Sequence, residues 1–287
     1  LSFGRVEAVL GGPSGIFTAQ GAGATVNYIS RRPTGEAEGE IGVSVTDYGQ
    51  VRTDFFYGGD IGDDGWSGAV GGHYRQGDAV RDTGYTASSG GQIRASLTKD
   101  FDDGSLTFAY KKIDDTSPYF NPLPTDTSGD SPGALAGFDA RYDGLSGPDV
   151  RILNSKRPDG DIVTRDLADG NISKTEQFTI SFEHDFDSGF SISEKLRFSQ
   201  ADTVAHDLRG GSDSGLEEAE TFVAKQLSVL QGAFSDVESV RLVGVNDGTV
   251  YNDPSTLNGN GLVSQHTLLQ YNRSTQNFIN DLRLNWE

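Results

Sequence analysis

The sequence of 287 residues contains no cysteine and no methionine. A chain without cysteine suits the cell envelope, where a stray thiol is a liability. Because no initiator methionine is present, we expect the chain to be an internal piece of a longer protein. The sequence also lacks any run of about 18 apolar residues, which excludes a membrane-spanning helix.

Basic residues are few relative to acidic ones. Lysine and arginine total 23, against 42 aspartates and glutamates, which gives a formal net charge of −19. A protein that binds nucleic acid needs a basic stripe to neutralise the phosphates. The charge balance therefore predicts no nucleic-acid partner.

Residues at the spacing of a catalytic, metal or cofactor site are also lacking. The four histidines are scattered and form no pair at metal-ligand spacing. The segment Gly11–Gly15 lacks the consecutive Lys-Ser or Lys-Thr of a phosphate-binding loop. We therefore predict no catalytic residue, no metal and no cofactor, and we expect that the protein is not an enzyme.

What the sequence does contain is an alternation of apolar and polar residues in eight segments. In one of them, Ile93, Ala95 and Leu97 share one face while Arg94 lies on the other. This period of two predicts β-strands. Each segment has about the 9–11 residues that a tilted strand needs to cross a bilayer. The segments are 36–46, 51–61, 66–75, 91–101, 105–113, 175–186, 190–200 and 274–286.

The connections between these segments alternate between short and long. Glycine and aspartate, which tolerate positive φ, form the tight turns Gly62–Gly65, Asp102–Gly104 and Asp187–Gly189. The polar connections 76–90, 114–174 and 201–273 are long, and 47–50 is the one short connection on their side. Outer-membrane barrels show this asymmetry, with short periplasmic turns and long external loops.

Large aromatic residues lie beside the short turns or at the chain end, namely Trp66, Phe101, Phe186, Phe190 and Trp286. Such rings prefer the boundary between lipid and water. Strand lengths, loop asymmetry and aromatic positions together predict an all-β fold, a transmembrane antiparallel up-and-down β-barrel. A soluble β-sandwich, whose strands also alternate, is the alternative.

Two charged residues contradict the alternation. Glu194 and Lys99 fall on the apolar side of their segments. A lysine can extend its ammonium group to the interface. Glu194 suggests a bulge or a local slip of register.

The two longest loops contain further patterns. In 114–174 we predict that Tyr119, Phe120 and Tyr142 contact a solute, the alternative being a solvated surface loop. In 201–273 an apolar stripe predicts a helix over Leu216–Leu230, with a capping box of Ser214 and Glu217. Asn246-Asp247-Gly248 predicts a hairpin turn.

The beginning of the chain, Arg5–Pro33, is of a different kind: it is rich in glycine and ends in a basic step. In order and spacing it resembles the end of the plug domain of TonB-dependent outer-membrane receptors. The matching positions include Gly12, Pro13, Ser14, Gly15, Asn27, Arg32 and Pro33. Three positions depart from the family's pattern: Gly11 replaces an arginine, Ala24 a glycine and Ser30 a threonine.

The resemblance implies two parts, the C-terminal end of a plug at 1–34 and the first part of a β-barrel wall at 35–287. Receptors of this family have about 22 strands and a plugged lumen. The resemblance further implies TonB-dependent transport of a scarce solute, such as a ferric siderophore, across the bacterial outer membrane. The implied partners are the TonB complex, acting through a missing N-terminal segment, the solute and outer-membrane lipid.

Two other functions are compatible with the predicted strands. One is a complete eight-stranded outer-membrane barrel that serves as an adhesin or structural anchor. Such a small barrel has a lumen just wide enough for side chains, which leaves no room for residues 1–33. The other is an outer-membrane hydrolase, which needs a nucleophile and a base meeting on the barrel wall.

Overall fold

A computed structural model describes residues 3–10, 24–33, 35–118, 123–126, 129–131, 133–210, 216–245 and 247–286. The strands are β1 (Phe3–Leu10), β2 (Ala24–Ser30), β3 (Glu38–Val45), β4 (Val51–Asp60), β5 (Trp66–Gly77), β6 (Ser88–Phe101), β7 (Gly104–Ser117), β8 (Ile152–Lys156), β9 (Ile162–Asp166), β10 (Asn171–Asp185), β11 (Phe190–Gly210), β12 (Leu216–Glu218), β13 (Leu242–Val243), β14 (Val250–Tyr251), β15 (Leu262–Ser264) and β16 (His266–Trp286). One α-helix, α1, spans Ala219–Ala233, and short 3₁₀ turns lie at Pro148–Val150, Leu167–Asp169 and Pro254–Gly259.

Eight strands form one antiparallel sheet in the order β3-β4-β5-β6-β7-β10-β11-β16. Each strand pairs with the next strand of the sheet along the chain, which is the up-and-down arrangement that the alternation predicted. All eight predicted segments are strands of this sheet. The two that were underestimated most are β11 and β16, which run for 21 residues each.

The pairing register divides the sheet into an apolar face and a polar face. On the apolar face, one row of directly opposed residues crosses seven strands: Tyr57, Val70, Ala95, Tyr110, Phe178, Phe198 and Phe278. Many of these side chains are exposed, and Phe278 is 69% exposed. A row on the polar face contains Arg94, Lys111, Gln177 and Ser199. An exposed apolar face of this extent indicates a partner of apolar chemistry.

Glu194 and Lys99, the two charged residues that contradicted the alternation, are held by neighbouring groups. The Glu194 carboxylate accepts a hydrogen bond from Asn280 Nδ2 at 2.8 Å. The register of β11 is continuous through Glu194, so the predicted bulge or slip is wrong. Lys99 Nζ donates to the backbone oxygen of Asp64 in the adjacent short turn and lies 5.7 Å from the centre of the Trp66 ring. The ammonium group of Lys99 therefore reaches the short-turn end of the sheet, as the sequence predicted.

The long connections contain structure of their own. Between β7 and β10, β8 and β9 pair as a hairpin that the sequence analysis did not predict. Between β11 and β16, α1 begins three residues later than predicted, and β13 and β14 pair around the predicted hairpin turn. Among the described residues, no helix is long and apolar enough to cross a membrane.

The predicted capping box is wrong. Glu217 belongs to β12, and its carboxylate accepts hydrogen bonds from Lys225 Nζ at 2.6 Å and from Gln265 Nε2 at 2.9 Å. These bonds hold the pKa of the Glu217 carboxyl below its ordinary value, the Lys225 bond contributing most. The residue at the helix N-cap is Glu218, whose side chain makes no capping hydrogen bond. Ser214 lies outside the described residues.

Candidate functional site on the polar face of the sheet

The N-terminal hairpin of β1 and β2 places β2 against the polar face of the sheet. β2 has the sequence Ala-Thr-Val-Asn-Tyr-Ile-Ser, in which β-branched and aromatic residues favour an extended backbone. It pairs with β1 in antiparallel register. Between β2 and the sheet lies a cavity of about 530 Å³, lined by residues from β2 and from β4, β5, β6, β7, β10 and β11. Since six strands of the sheet contribute to one cavity, the polar face is concave.

Arg31, the first residue after β2, binds the edge of the sheet. Its guanidinium group forms salt bridges with Glu38 at 2.9 Å and with Glu40 at 3.0 Å, both on β3. The same group lies over the ring of Phe56, 4.2 Å from its centre. Phe56 is only 3% exposed. The attraction between a cation and an aromatic ring is stronger when the ring is shielded from water. Arg31 therefore fixes the position at which β2 leaves the cavity.

The next two residues, both positions that match the plug motif, continue this attachment. Arg32 Nη2 lies 2.9 Å from Asp100 Oδ1 at the short-turn end of β6. Pro33 is buried and packs against Gly58: a Cβ added to Gly58 would lie 2.9 Å from Pro33 Cγ and 2.9 Å from the backbone oxygen of Gly68. The absence of a side chain at Gly58 therefore makes room for the proline ring.

The remaining predicted positions of the glycine-rich segment divide into two groups. Asn27 lies on β2, is exposed, and lines the cavity. Gly12, Pro13, Ser14 and Gly15 lie outside the described residues. Their assignment to a plug motif stays a prediction.

Basic side chains on the cavity wall are functional candidates that the sequence analysis missed. Arg94, Lys111, Lys195 and Arg197 all line the cavity. Arg94 Nη1 donates to Ser30 Oγ of β2 at 3.5 Å. The strand alternation could have placed these residues on the polar face. Their proximity depends on the register of four strands, which the sequence pattern alone does not show.

Closer to the long loops, the cations of the polar face are paired with carboxylates. Arg52 donates two hydrogen bonds to Asp54, at 2.8 and 2.7 Å. Arg75 likewise donates to Asp115 at 3.2 and 2.7 Å. Bidentate pairs of this kind neutralise the charge of both partners. The charge of the polar face is thus balanced above the cavity.

Tyr142, predicted to contact a solute, lies at the long-loop end of the sheet. Its side chain is 58% exposed, and the Arg141 guanidinium group lies 5.6 Å from the centre of its ring. Its backbone oxygen accepts a hydrogen bond from the Asp82 amide at 3.1 Å. Arg81 Nη1 donates to the backbone oxygen of Ala140. The loop between β5 and β6, which contains Arg81 and Asp82, thus holds the backbone next to Tyr142, while the Tyr142 ring faces solvent. Tyr119 and Phe120 lie outside the described residues.

A second cluster at the same end joins three segments of the chain. Arg151 donates to both carboxylate oxygens of Asp166 and lies 5.6 Å from the centre of the Tyr85 ring. The bonds from Arg151 hold the pKa of the Asp166 carboxyl below its ordinary value of 3.8. Burial raises the pKa of the Tyr85 hydroxyl. The cluster keeps the β8–β9 hairpin attached to the loop between β5 and β6.

In the described part of the chain, no group of three histidine, aspartate or glutamate side chains is arranged to hold a metal ion. The aspartates of the short turns are therefore not part of such a group among the described residues.

Comparison with solved structures identifies the fold. The sheet has the fold of part of an outer-membrane receptor β-barrel. The structure of Pseudomonas aeruginosa FpvA bound to a heterologous pyoverdine–iron complex matches with a TM-score of 0.52 and 18% identity, over 75% of this chain. This chain spans 26% of that receptor. A structure of the pyoverdine outer-membrane receptor FpvA from strain PAO1 bound to pyoverdine gives a TM-score of 0.39 at 14% identity, covering 75% of this chain and 34% of that one. No family model and no curated protein sequence matches the chain.

Proposed function

We propose that this chain is part of a TonB-dependent receptor that transports a ferric siderophore across the bacterial outer membrane. The observation that carries the proposal is the position of β2, which lies on the concave polar face of an eight-stranded up-and-down sheet. A sheet of barrel strands with a separate segment against its concave face is the arrangement of a plugged barrel. The glycine-rich segment before β2 supports the same assignment through its resemblance to a plug terminus.

The apolar face supports a position in lipid. Aromatic rings at the short-turn end contact one another in series: the Phe186 ring lies 4.3 Å from His184 and 5.5 Å from Phe190, and Phe190 lies 6.2 Å from Trp286. A band of aromatic rings at one end of a sheet is typical of the lipid–water boundary. In this proposal the short turns face the periplasm and the long loops face the exterior.

The two parts of the chain have separate roles in this proposal. Residues 1–34 close the plug, and residues 35–287 form the first part of the wall. The TonB complex acts on a segment of the plug other than these residues and supplies the energy for its displacement. The receptor moves its solute without making or breaking a covalent bond, so the proposal assigns it no enzymatic activity.

The choice of solute comes from fold likeness and from loop chemistry. The solved FpvA structure contains a pyoverdine with iron. In the present chain the exposed ring of Tyr142, with Arg141 beside it, offers stacking and a positive charge to an aromatic, anionic chelate. Tyr119 and Phe120 are proposed as further contacts on the same loop.

The alternative of a complete eight-stranded barrel is disfavoured by the strand pairing. In the described residues β3 pairs with β4 alone and β16 with β11 alone, so the two edges of the sheet do not join. A closed barrel requires that its first and last strands pair. The presence of β2 on the polar face also disagrees with a lumen filled by side chains.

Uptake of radiolabelled iron tests the proposal. A strain deleted for the complete gene is compared with the same strain carrying the gene on a plasmid. Uptake of several ferric siderophores is measured in both strains, with and without a functional TonB protein. We expect one siderophore whose uptake needs both the receptor and TonB. Equal uptake of every chelate by the deleted and complemented strains would show that the proposal is wrong.

A further inference from the structure

Three long connections of the chain meet at the segment that contains Tyr142. This segment, residues 136–143, is called the Tyr142 turn. Within it, the amides of Tyr142 and Asp143 donate to the Asp139 backbone oxygen at 3.1 and 2.8 Å. Backbone carbonyl groups require hydrogen-bond donors. Two other connections supply donors to four further carbonyl oxygens of the turn, those of Ala136, Ala140, Tyr142 and Asp143.

The connection between β5 and β6 holds the second half of the Tyr142 turn. Arg81 Nη1 donates to the backbone oxygen of Ala140 and, at 3.3 Å, to that of Asp143. The Asp82 amide donates to the Tyr142 backbone oxygen at 3.1 Å. One guanidinium group and one amide thus fix the backbone on both sides of the Tyr142 side chain.

The connection that contains Arg81 is itself well packed. Thr83 is 2% exposed, and its hydroxyl donates to the Tyr85 backbone oxygen at 2.8 Å. Gly84 has a positive φ of 69°, and an added Cβ there would lie 2.5 Å from Pro148 Cγ. Buried side chains and close backbone contacts limit the local opening of a loop. Arg81 therefore donates from a firm support.

The first half of the Tyr142 turn is held by the connection between β11 and β16. Asn260 Nδ2 donates to the Ala136 backbone oxygen at 3.1 Å, and Asn260 Oδ1 accepts from the Leu262 amide at 3.0 Å. Gly137 packs against the same side chain, since an added Cβ there would lie 3.5 Å from Asn260 Nδ2. Leu262 begins β15, which pairs with β12 directly before α1. Asn260 therefore joins the Tyr142 turn to the folded unit around α1.

We propose that Arg81 and Asn260 are positioning residues for solute binding, which hold the Tyr142 turn in one arrangement. The inference rests on the proposed function, in which the Tyr142 ring and its neighbour Arg141 contact the solute. Arg141 is ordered in the same turn, because its amide and its guanidinium group both donate to the Asp139 carboxylate, at 3.0 and 3.3 Å. Binding groups that are ordered before the solute arrives lose less conformational entropy on binding. Arg81 and Asn260 act on affinity through the backbone, without touching the solute.

Hydrogen–deuterium exchange of the purified complete receptor, without solute and at one pH, tests whether the turn is held. Arg81→Met keeps an apolar stem and removes the donors, and Asn260→Ala removes the side-chain amide. We expect protection of the amides in the Tyr142 turn to fall about tenfold in Arg81→Met, which loses a charged donor, and about fivefold in Asn260→Ala. Arg81→Lys keeps a charged donor and should retain most of the protection.

Asn258 provides a matched control in the same connection as Asn260. Its Nδ2 donates to the Leu262 backbone oxygen at 2.9 Å, and its φ is positive at 54°. Asn258→Gly removes this bond and suits that φ, so it should leave exchange in the Tyr142 turn unchanged. Wild-type protection in both Arg81→Met and Asn260→Ala would overturn the proposal. Equal loss of protection in Asn260→Ala and Asn258→Gly would remove Asn260 from it.

Uptake by cells separates positioning from a merely structural contact. The probes are ferric pyoverdine, a ferric tris-catecholate and a ferric tris-hydroxamate, each with radiolabelled iron, and the chelate that the wild type imports is titrated. We expect Arg81→Met to raise the half-saturation concentration at least about threefold, with the maximal rate per receptor molecule nearly unchanged. Arg81→Lys should restore the wild-type value. Faster exchange in Arg81→Met with an unchanged half-saturation concentration would overturn the positioning role.

Failure of the proposed function would look different. It would appear in the wild type, as uptake of all three chelates that does not depend on the receptor. The exchange measurement needs no solute, so in that case it would still decide whether Arg81 and Asn260 hold the Tyr142 turn.

Discussion

Arg151 donates to both oxygens of the Asp166 carboxylate, at 2.8 and 2.7 Å, and so joins the start of the β8–β9 hairpin to its end. Asp166 also accepts a hydrogen bond from the Ala168 amide at 2.9 Å. The Tyr85 ring beneath Arg151 belongs to a different loop. One ion pair thus organises the loops next to Tyr142, the residue proposed to contact the solute.

This pair should make the hairpin sensitive to acid. The pKa of the Asp166 carboxyl is below its ordinary value of 3.8, chiefly because of the Arg151 hydrogen bonds. A lowered folded-state pKa stabilises the folded form above pH 3.8, and this contribution is lost as the pH falls through the folded-state value. We expect the protection factors of the β8 and β9 amides, obtained by hydrogen–deuterium exchange and corrected for the intrinsic rate at each pH, to fall below about pH 4.

Asp166→Asn should reproduce the acid effect at neutral pH. The change removes the charge and one acceptor, so exchange of the hairpin amides should increase several-fold. Asp161→Asn, in the exposed turn of the same hairpin, is the control and should have little effect. Equal exchange in the two variants would show that Arg151 and Asp166 do not hold the hairpin.

Phe56 should control how firmly the N-terminal hairpin is attached. Phe56 is buried beneath the Arg31 guanidinium group, so Phe56→Ala removes both packing and the cation–π contact. Large-to-small changes at buried phenylalanines cost about 3–5 kcal/mol. We expect trypsin to cleave the Arg31–Arg32 bond of the complete receptor faster in this variant.

The neighbouring phenylalanine distinguishes attachment of β2 from general stability. Phe55 lies on the apolar face, opposite Ile41. Phe55→Ala should leave cleavage at Arg31 close to that of the wild type. Faster cleavage in both variants to the same extent would contradict the specific role of Phe56.

Gly58 should tolerate no side chain because Pro33 occupies that space. An added Cβ would approach both Pro33 Cγ and the Gly68 backbone oxygen to 2.9 Å. Overpacking of this kind costs about 1–3 kcal/mol. Gly58→Ala should therefore lower the stability of the complete receptor to urea in lipid vesicles.

Gly39 offers a comparison on the same strand pair. There an added Cβ would meet the Tyr57 side chain at 3.2 Å and no backbone atom closer than 3.7 Å. Because a side chain can shift, Gly39→Ala should cost less than Gly58→Ala. The reverse order would show that Pro33 does not pack against Gly58 in the membrane.

The sequence predicted the eight strands because each carries its own period of two, a property of single segments. The β8–β9 hairpin was missed because its strands have five residues each and are held by Arg151 and Asp166, which belong to a tertiary contact. The basic side chains on the cavity wall were missed for a related reason. Alternation assigns Arg94 and Lys111 to a face, whereas register decides that they are neighbours.

Glu194 provides a test of which face meets lipid. Its carboxylate lies among apolar residues, opposite Phe182 and Leu282, with Asn280 Nδ2 as its hydrogen-bond donor. Charged residues on the lipid face of a barrel are destabilising, carboxylates less so than basic residues. Glu194→Gln removes the charge and keeps an oxygen acceptor for Asn280. We expect it to raise the free energy of unfolding in lipid vesicles by about 1 kcal/mol.

Glu183 is the matched control for this change because it lies on the polar face, on the neighbouring strand, opposite Ser193. Glu183→Gln removes the same charge from a side chain that faces the lumen, so it should leave the free energy of unfolding in vesicles nearly unchanged. Both variants are measured by urea unfolding of the complete receptor, followed by tryptophan fluorescence. If Glu183→Gln stabilises the receptor and Glu194→Gln does not, the assignment of the apolar face to lipid is wrong.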